Sequence, residues 1–292
     1  MVKEVVVISG KGGTGKTSIT AAIVTLEAAP KVVVDLDVDA PDLHLVLCPQ
    51  QRERHEFFSG HIAVVRKEDC TGCGICAEVC AFSAVSMQDA VAVVDPAECE
   101  GCKLCVELCE AGAIDFPERH CGQWFVSSSR AGTMVHARLF PGEENSGRLV
   151  SLLKTKAREL AQAEGVELII CDGAPGIACP VISSLSGADA ALIVAEPTPS
   201  GLHDMSRVLE LCGHFGVKGF VVVNKSDLNP EVSAQLKEAA GRAGAEVVAE
   251  VGFDMAVVEA AIAGKSVWEF APDSPTSRAI ARAWREVKAA LD

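Results

Sequence analysis

Short continuous apolar runs alternate with helical patterns along most of the chain. Glu4–Ile8, Lys31–Leu36, Val166–Cys171, Ala190–Ala195, Gly219–Val223 and Glu246–Val251 are strand-length and rich in Val, Ile, Leu and Ala. Ser18–Ala28, Leu149–Ala163, Gly201–Cys212, Pro230–Arg242 and Pro275–Ala290 space their apolar residues as helices do. A strand that is apolar at consecutive positions is buried on both faces, as in parallel sheets covered by helices. The alternation therefore predicts an α/β fold, a doubly wound and mostly parallel sheet. Gly132–Leu139 reads as one more strand, and Ser146-Gly147 opens a helix with Asn145 as its cap.

The alternation breaks between Ile62 and Glu118. This stretch holds an internal repeat. Cys-Thr-Gly-Cys-Gly-Ile-Cys-Ala-Glu-Val-Cys from Cys70 matches Cys-Glu-Gly-Cys-Lys-Leu-Cys-Val-Glu-Leu-Cys from Cys99. The tails agree as well, Ala84-Val85 with Ala113-Ile114. A repeat of this kind is one small unit used twice. Residues 62–117 thus read as a domain inserted into a discontinuous one made of 1–61 and 118–292.

Charge and composition remove several function classes. Of 292 residues, 26 are Lys or Arg and 40 are Asp or Glu, a net charge of −14. That balance opposes phosphate backbones and anionic lipid, so neither nucleic acid nor a membrane surface is an expected partner. Tyr is absent, which leaves few platforms for stacked bases. No apolar run approaches the ~20 residues of a spanning helix. The first ten residues read as strand and turn rather than as an export signal, so the expected location is the cytoplasm. In such a chain thirteen cysteines, eight of them in the two repeats, point to metal.

Gly10-Lys11-Gly12-Gly13-Thr14-Gly15-Lys16-Thr17 satisfies the G-x-x-x-x-G-K-[ST] pattern, after a strand and before a helix. Its glycines let backbone N–H groups turn in around phosphate oxygens, and the helix N-terminus adds its dipole. Lys16 reaches the β- and γ-phosphates, the Thr17 hydroxyl is a ligand for Mg²⁺, and Ser18 follows at the helix start. Lys11 is an additional lysine. Lys-Gly-Gly-x-Gly-Lys-Thr resembles the deviant Walker A loop of the MinD/ParA/Mrp ATPases, the arsenite-pump ATPase and the nitrogenase iron protein. The resemblance implies bound ATP or ADP and a nucleotide-sandwich homodimer, or a heterodimer with a similar ATPase. In it Lys11 crosses to the partner's phosphates.

Further segments extend the likeness. Val34-Asp35-Leu36-Asp37 resembles the family's second acidic motif, which implies that Asp37 orients the attacking water and Asp35 supports Mg²⁺ through solvent. Ile169-Ile170-Cys171-Asp172-Gly173-Ala174-Pro175-Gly176 resembles the Walker B strand and its switch. Asp172 then holds the Mg²⁺ water shell and Gly176 senses the γ-phosphate. Val223-Asn224-Lys225-Ser226-Asp227 resembles the base-reading motif, with Asn224 on adenine, and a structural turn is the other reading. Glu196-Pro197-Thr198 resembles a nucleotide-edge motif and also reads as a plain loop.

Cys70, Cys73, Cys76 and Cys80 have the spacing C-x₂-C-x₂-C-x₃-C, repeated by Cys99, Cys102, Cys105 and Cys109. This resembles the bacterial ferredoxin run, in which the fourth cysteine ligates the other cluster. The resemblance assigns one 4Fe–4S cluster to Cys70, Cys73, Cys76 and Cys109, and a second to Cys99, Cys102, Cys105 and Cys80. Zinc and disulfides are the alternatives, and the spacing suits them poorly. Ala81 and Glu110 stand where that run has proline. Cys48, Cys171 and Cys212 lie in apolar contexts and are expected to be buried. Cys121 and Cys179 are open to a redox or ligand role. The seven histidines show no ligand spacing.

Taken together, the chain resembles MinD-superfamily P-loop ATPases that carry an inserted two-cluster ferredoxin domain. That implies an ATPase whose nucleotide state controls electron transfer to an unidentified redox partner. An iron–sulfur carrier of the Mrp type is a second reading, opposed by the absence of any cysteine after Cys212. A MinD-type positioning or assembly ATPase with a redox-sensing insert is a third, with the closing helix and its Trp284 as a candidate membrane contact.

Overall fold

The computed structural model describes residues 2–143 and 146–291. The chain opens with β1 (Lys3–Ser9), α1 (Lys16–Leu26), β2 (Val32–Asp35), α2 (Leu43–Leu47) and β3 (Gln50–His61). The cysteine-rich stretch contains β4 (Val64–Val65), α3 (Ile75–Glu78), β5 (Val85–Gln88), β6 (Val91–Val94), α4 (Leu104–Glu107) and β7 (Ile114–Asp115). Two long strands follow, β8 (Glu118–Ser129) and β9 (Gly132–Leu139), then α5 (Ser146–Glu164), β10 (Leu168–Pro175) and α6 (Cys179–Leu185). The remainder is β11 (Ala190–Ala195), α7 (Pro199–Phe215), β12 (Lys218–Asn224), α8 (Pro230–Arg242), β13 (Glu246–Val251), α9 (Met255–Ile262), α10 (Val267–Phe270) and α11 (Pro275–Ala289).

Nine strands form one sheet in the order β13-β12-β11-β1-β10-β2-β9-β8-β3. The pairs from β13 through to β9 are parallel. The interior strands are apolar throughout because helices cover both faces; Val5 to Ile8 and Ala191 to Ile193 are fully buried. Helices start where the sequence supplies a cap and a proline. Thr198 accepts from the Gly201 N–H ahead of Pro199, Asn229 from Val232 ahead of Pro230, and Ser274 from Ser277 ahead of Pro275. The expected cap of α5, Asn145, lies outside the described residues.

The chain forms two compact units: Met1–His55 with Trp124–Arg138 and Ser146–Asp292, and Glu56–Gln123 with Leu139–Asn145. In the second unit the two cysteine repeats share one backbone. Gly72 and Gly101 are both left-handed, and at each a Cβ would collide with a carbonyl oxygen, that of Ala90 or of His61. The next left-handed positions are Gly74 and Lys103, which cap α3 and α4 with nearly the same angles. Arg66 ties the ends of the unit together, donating to Asp69, Asp115 and the Gly112 carbonyl.

Some expectations change. Cys48 is exposed, not buried: it ends α2 in a left-handed turn with φ of 45°, and its S–H donates to the Leu45 carbonyl. Cys171 and Cys212 are buried as expected. Val166 belongs to the turn after α5, its N–H bonded to the Ala161 carbonyl, so the strand starts at Leu168. The apolar face of α11 is covered: Ile280, Ala283, Trp284 and Val287 are buried, and the Trp284 indole N–H donates to Glu27. Among the described residues no helix is long and apolar enough to cross a membrane.

Candidate nucleotide site and cysteine cavity

The loop after β1 stands at the carboxyl ends of the parallel strands, where doubly wound sheets bind ligands. Gly13 and Gly15 have positive φ, and a Cβ on Gly15 would collide with the Asn224 amide. Beside Gly12 and Gly13 there is open space. The Thr14 hydroxyl is buried without a partner, a polar atom left for something that enters the loop. The Asn224 amide donates to the Thr14 carbonyl at 2.7 Å, and the Gly176 N–H reaches the Ser9 carbonyl at 2.8 Å.

Lys16 is buried among carboxylates. Its Nζ lies 3.0 Å from Asp172 and 3.6 Å from Asp37. Asp172 is fully buried and accepts from the Thr17 and Thr20 hydroxyls at 2.7 and 2.8 Å. Asp35, also fully buried, accepts from the N–H groups of Asp37 and Leu43. Burial alone would lower the Lys16 pKa, but Asp172, Asp37 and Asp35 outweigh it and the net shift is upward. Burial, then the Asp172 charge, pushes Asp35 well above the usual carboxylate range. Burial also raises Asp37. One ammonium thus faces three carboxylates, and the local balance of charge is negative.

The structure therefore brings Lys16, Thr17, Asp35, Asp37, Asp172, Gly176 and Asn224 to one loop. Lys11 is turned elsewhere within its own chain. Its Nζ lies 2.5 Å from Glu196 and donates to the Thr198 and Ser200 hydroxyls. Thr20 and Lys225 were not among the expected site residues. Thr20 stands one helical turn after Lys16, and Lys225 follows the predicted Asn224. A cavity of about 150 Å³ adjoins the loop, lined by Gly15, Ser18, Asn224, Phe253, Asp254 and Val257 among others. Its walls after β13 carry no recognisable motif.

In the other unit, Cys70, Cys73, Cys76 and Cys109 line one cavity, three from the first repeat and the last from the second. The N–H group of Ala92, and then that of Gly72, point at the Cys70 sulfur and hold its pKa below the usual thiol range. The Ala113 N–H donates to the Cys109 sulfur at 3.3 Å. Cys105 is raised by burial and then by the neighbouring Cys99 and Cys102. Cys80 does not line that cavity. Among the described residues no three His, Cys, Asp or Glu side chains stand grouped as around a single ion. Each cysteine of a cubane binds a separate iron, so that group asks for a cysteine-walled cavity with N–H groups aimed at sulfur. Cys70, Cys73, Cys76 and Cys109 fit those requirements.

Of the remaining thiols, Cys121, Cys171 and Cys212 are buried. Cys121 is fully buried and donates to the Ser59 carbonyl, with its pKa raised by burial and by Glu143. Burial pushes Cys212 up to about 11. Cys179 is exposed at the start of α6.

The sequence matches the CobQ/CobB/MinD/ParA nucleotide-binding domain over residues 5–267. The chain belongs to that family. The MinD/ParA members hydrolyse ATP. The uncharacterized protein MJ0578 of Methanocaldococcus jannaschii is 35% identical over 231 residues, covering 78% of this chain and 80% of that one. Among solved structures, the septum site-determining protein MinD of Pyrococcus horikoshii, complexed with Mg-ADP, aligns with a TM-score of 0.60 at 16% identity, over 98% of this chain and 96% of that one. The cell division ATPase MinD of Pyrococcus furiosus aligns with a TM-score of 0.58 at 17% identity, over 99% of both chains. These likenesses are of fold.

Proposed function

We propose that this protein binds and hydrolyses ATP at residues 10–17 and carries two 4Fe–4S clusters in an inserted module, residues 62–117. The nucleotide state controls electron transfer through them. The observation that carries the iron–sulfur half is the crossed cavity, in which Cys109 of the second repeat joins Cys70, Cys73 and Cys76 of the first. Cys99, Cys102, Cys105 and Cys80 hold the second cluster. The clusters supply one-electron carriers; the chain supplies their thiolates and the N–H groups that tune them.

At the nucleotide, Lys16 neutralises the β- and γ-phosphates, and Thr17 and Asp172 hold the Mg²⁺ shell with Asp35 behind them. Gly12, Gly13, Thr14 and Gly15 turn their N–H groups to phosphate. Asp37, with a raised pKa, orients the attacking water. The base enters the cavity beside Asn224 and Ser18. ATP closes a homodimer in which Lys11 reaches the partner copy's phosphates, and Gly176 relays loss of the γ-phosphate. Anaerobic purification with iron and acid-labile sulfide analysis tests this reading. About eight irons per chain are expected, and Lys16→Ala loses ATPase with iron retained. Zinc in place of iron refutes the cluster assignment.

A second reading, a MinD-type positioning ATPase with a sensing insert, is supported by the whole-chain likeness to cell-division ATPases. Under it the clusters report redox state and pass no electrons.

A further inference from the structure

Glu196 lies between two lysines of the loop region. One carboxylate oxygen is 2.5 Å from Lys11 and the other 3.1 Å from Lys225. Lys225 also donates to the Gly13 carbonyl at 2.9 Å, so the same carboxylate is tied to the loop backbone. Thr198 and Ser200 place hydroxyls on Lys11 at 3.0 and 3.1 Å. Thr198 is itself fixed as the cap of α7. The backbone of Glu196 is packed against α7, where a Cβ on Gly201 would collide with the Glu196 carbonyl oxygen. Burial alone would raise the Glu196 pKa, but Lys11 and Lys225 outweigh it and hold the carboxyl below the usual range, ionised at neutral pH.

We propose that Glu196 is a positioning residue for Lys11, holding the first loop lysine on its own chain until phosphate charge competes for it. This rests on the nucleotide-sandwich reading above. To cross to a partner's phosphates, Lys11 must give up one ion pair and two hydroxyls. The latch opposes closure when no triphosphate is present, so Glu196 sets how much ATP is needed for the dimer to form. The ammonium is about one-third exposed, so the ion pair is worth what part-exposed pairs are worth, a few-fold in an equilibrium constant.

The test is dimerisation of the full chain against concentration of a non-hydrolysable ATP analogue, read by analytical ultracentrifugation. Mg-ADP affinity, read by calorimetry, serves as the fold control. Glu196→Gln should lower the midpoint about five-fold with ADP affinity within two-fold of wild type. Glu196→Asp, which keeps the charge, should restore most of the difference. Ser200→Ala, which removes one hydroxyl from Lys11 without touching the carboxylate, should shift the midpoint the same way by less. It answers the question if Glu196→Gln does not fold. An unchanged or raised midpoint with ADP binding intact overturns the latch. A wild-type chain that stays monomeric with the analogue refutes the sandwich reading itself, and the latch with it.

Discussion

Replacing Lys16 and replacing Asp172 should have unequal consequences for stability although both remove activity. Lys16 is 6% exposed and offsets Asp172 at 3.0 Å, Asp37 at 3.6 Å and the fully buried Asp35. At an effective dielectric near 20, each of the two close pairs attracts by about 5 kcal/mol before desolvation is subtracted. Removing one member of such a set typically costs about 3–5 kcal/mol, because the remaining charges stay buried. Lys16→Met should therefore destabilise the chain without nucleotide by that amount. Asp172→Asn removes a charge from the side in excess. It costs a hydroxyl hydrogen bond, about 1 kcal/mol, and relieves the repulsion that raises Asp35. It also gives up the Lys16 attraction at 3.0 Å, so it should destabilise the chain as well, but by less than Lys16→Met, which leaves three carboxylates uncompensated.

The pH dependence carries the sign. Without Lys16 the folded carboxylates bind protons more tightly than the unfolded ones. The folded state then gains stability as pH falls through the raised carboxylate range, and the Lys16→Met penalty shrinks. The assay is urea unfolding followed by tryptophan fluorescence. Trp124, Trp268 and Trp284 all lie in the nucleotide-binding unit, so the signal reports that unit alone. Equal destabilisation by the two variants, or a Lys16→Met penalty that grows on acidification, would refute the charge-excess argument.

Two further predictions concern other parts of the chain. His136 is held down to about 4 by burial, then by the charge of His44, with Ser127 at 2.9 Å from its ring. Its unfolded pKa near 6.5 means that the unfolded state binds the extra proton between those values, so stability falls by about 2–3 kcal/mol from pH 6.5 to 4. His136→Gln should flatten that slope in thermal melts, and an unaltered slope would show that other groups cause it. Cys109→Ser should deplete the cluster shared with Cys70 and leave the other in place, halving iron and altering one of two signals in electron paramagnetic resonance. Loss of the cluster that Cys105 serves would reverse the crossed assignment.

Legibility in the sequence followed burial. β11, α8 and β13 match their expected spans to the residue, because strands apolar on both faces and proline-capped helices leave strong local patterns. β3 left none. Its Gln-Gln-Arg-Glu-Arg-His-Glu run carries charge on both faces because it is the last strand of the sheet, where a polar edge discourages pairing with other chains. The loop lysine, the acidic strand ends and both cysteine repeats were readable because chemistry fixes their spacing. The partners of Lys11 were not, since Glu196 reaches it across 185 positions and only the fold brings them together. The cavity wall after β13 was invisible for the same reason. Cys48 misled because its apolar neighbours Leu45 and Leu47 suggested burial, whereas the helix ends on it and turns it outward.

Under the proposed function, nucleotide and clusters influence one another. An anaerobic redox titration monitored by electron paramagnetic resonance, without nucleotide, with Mg-ADP and with a non-hydrolysable ATP analogue, tests it most directly. A shift of cluster potential between the nucleotide states is expected, about 60 mV for each ten-fold of coupling in a one-electron couple. By linkage the same factor must appear as a difference in nucleotide affinity between oxidised and reduced protein. Potentials identical in all three states, with clusters present and nucleotide bound, would contradict it.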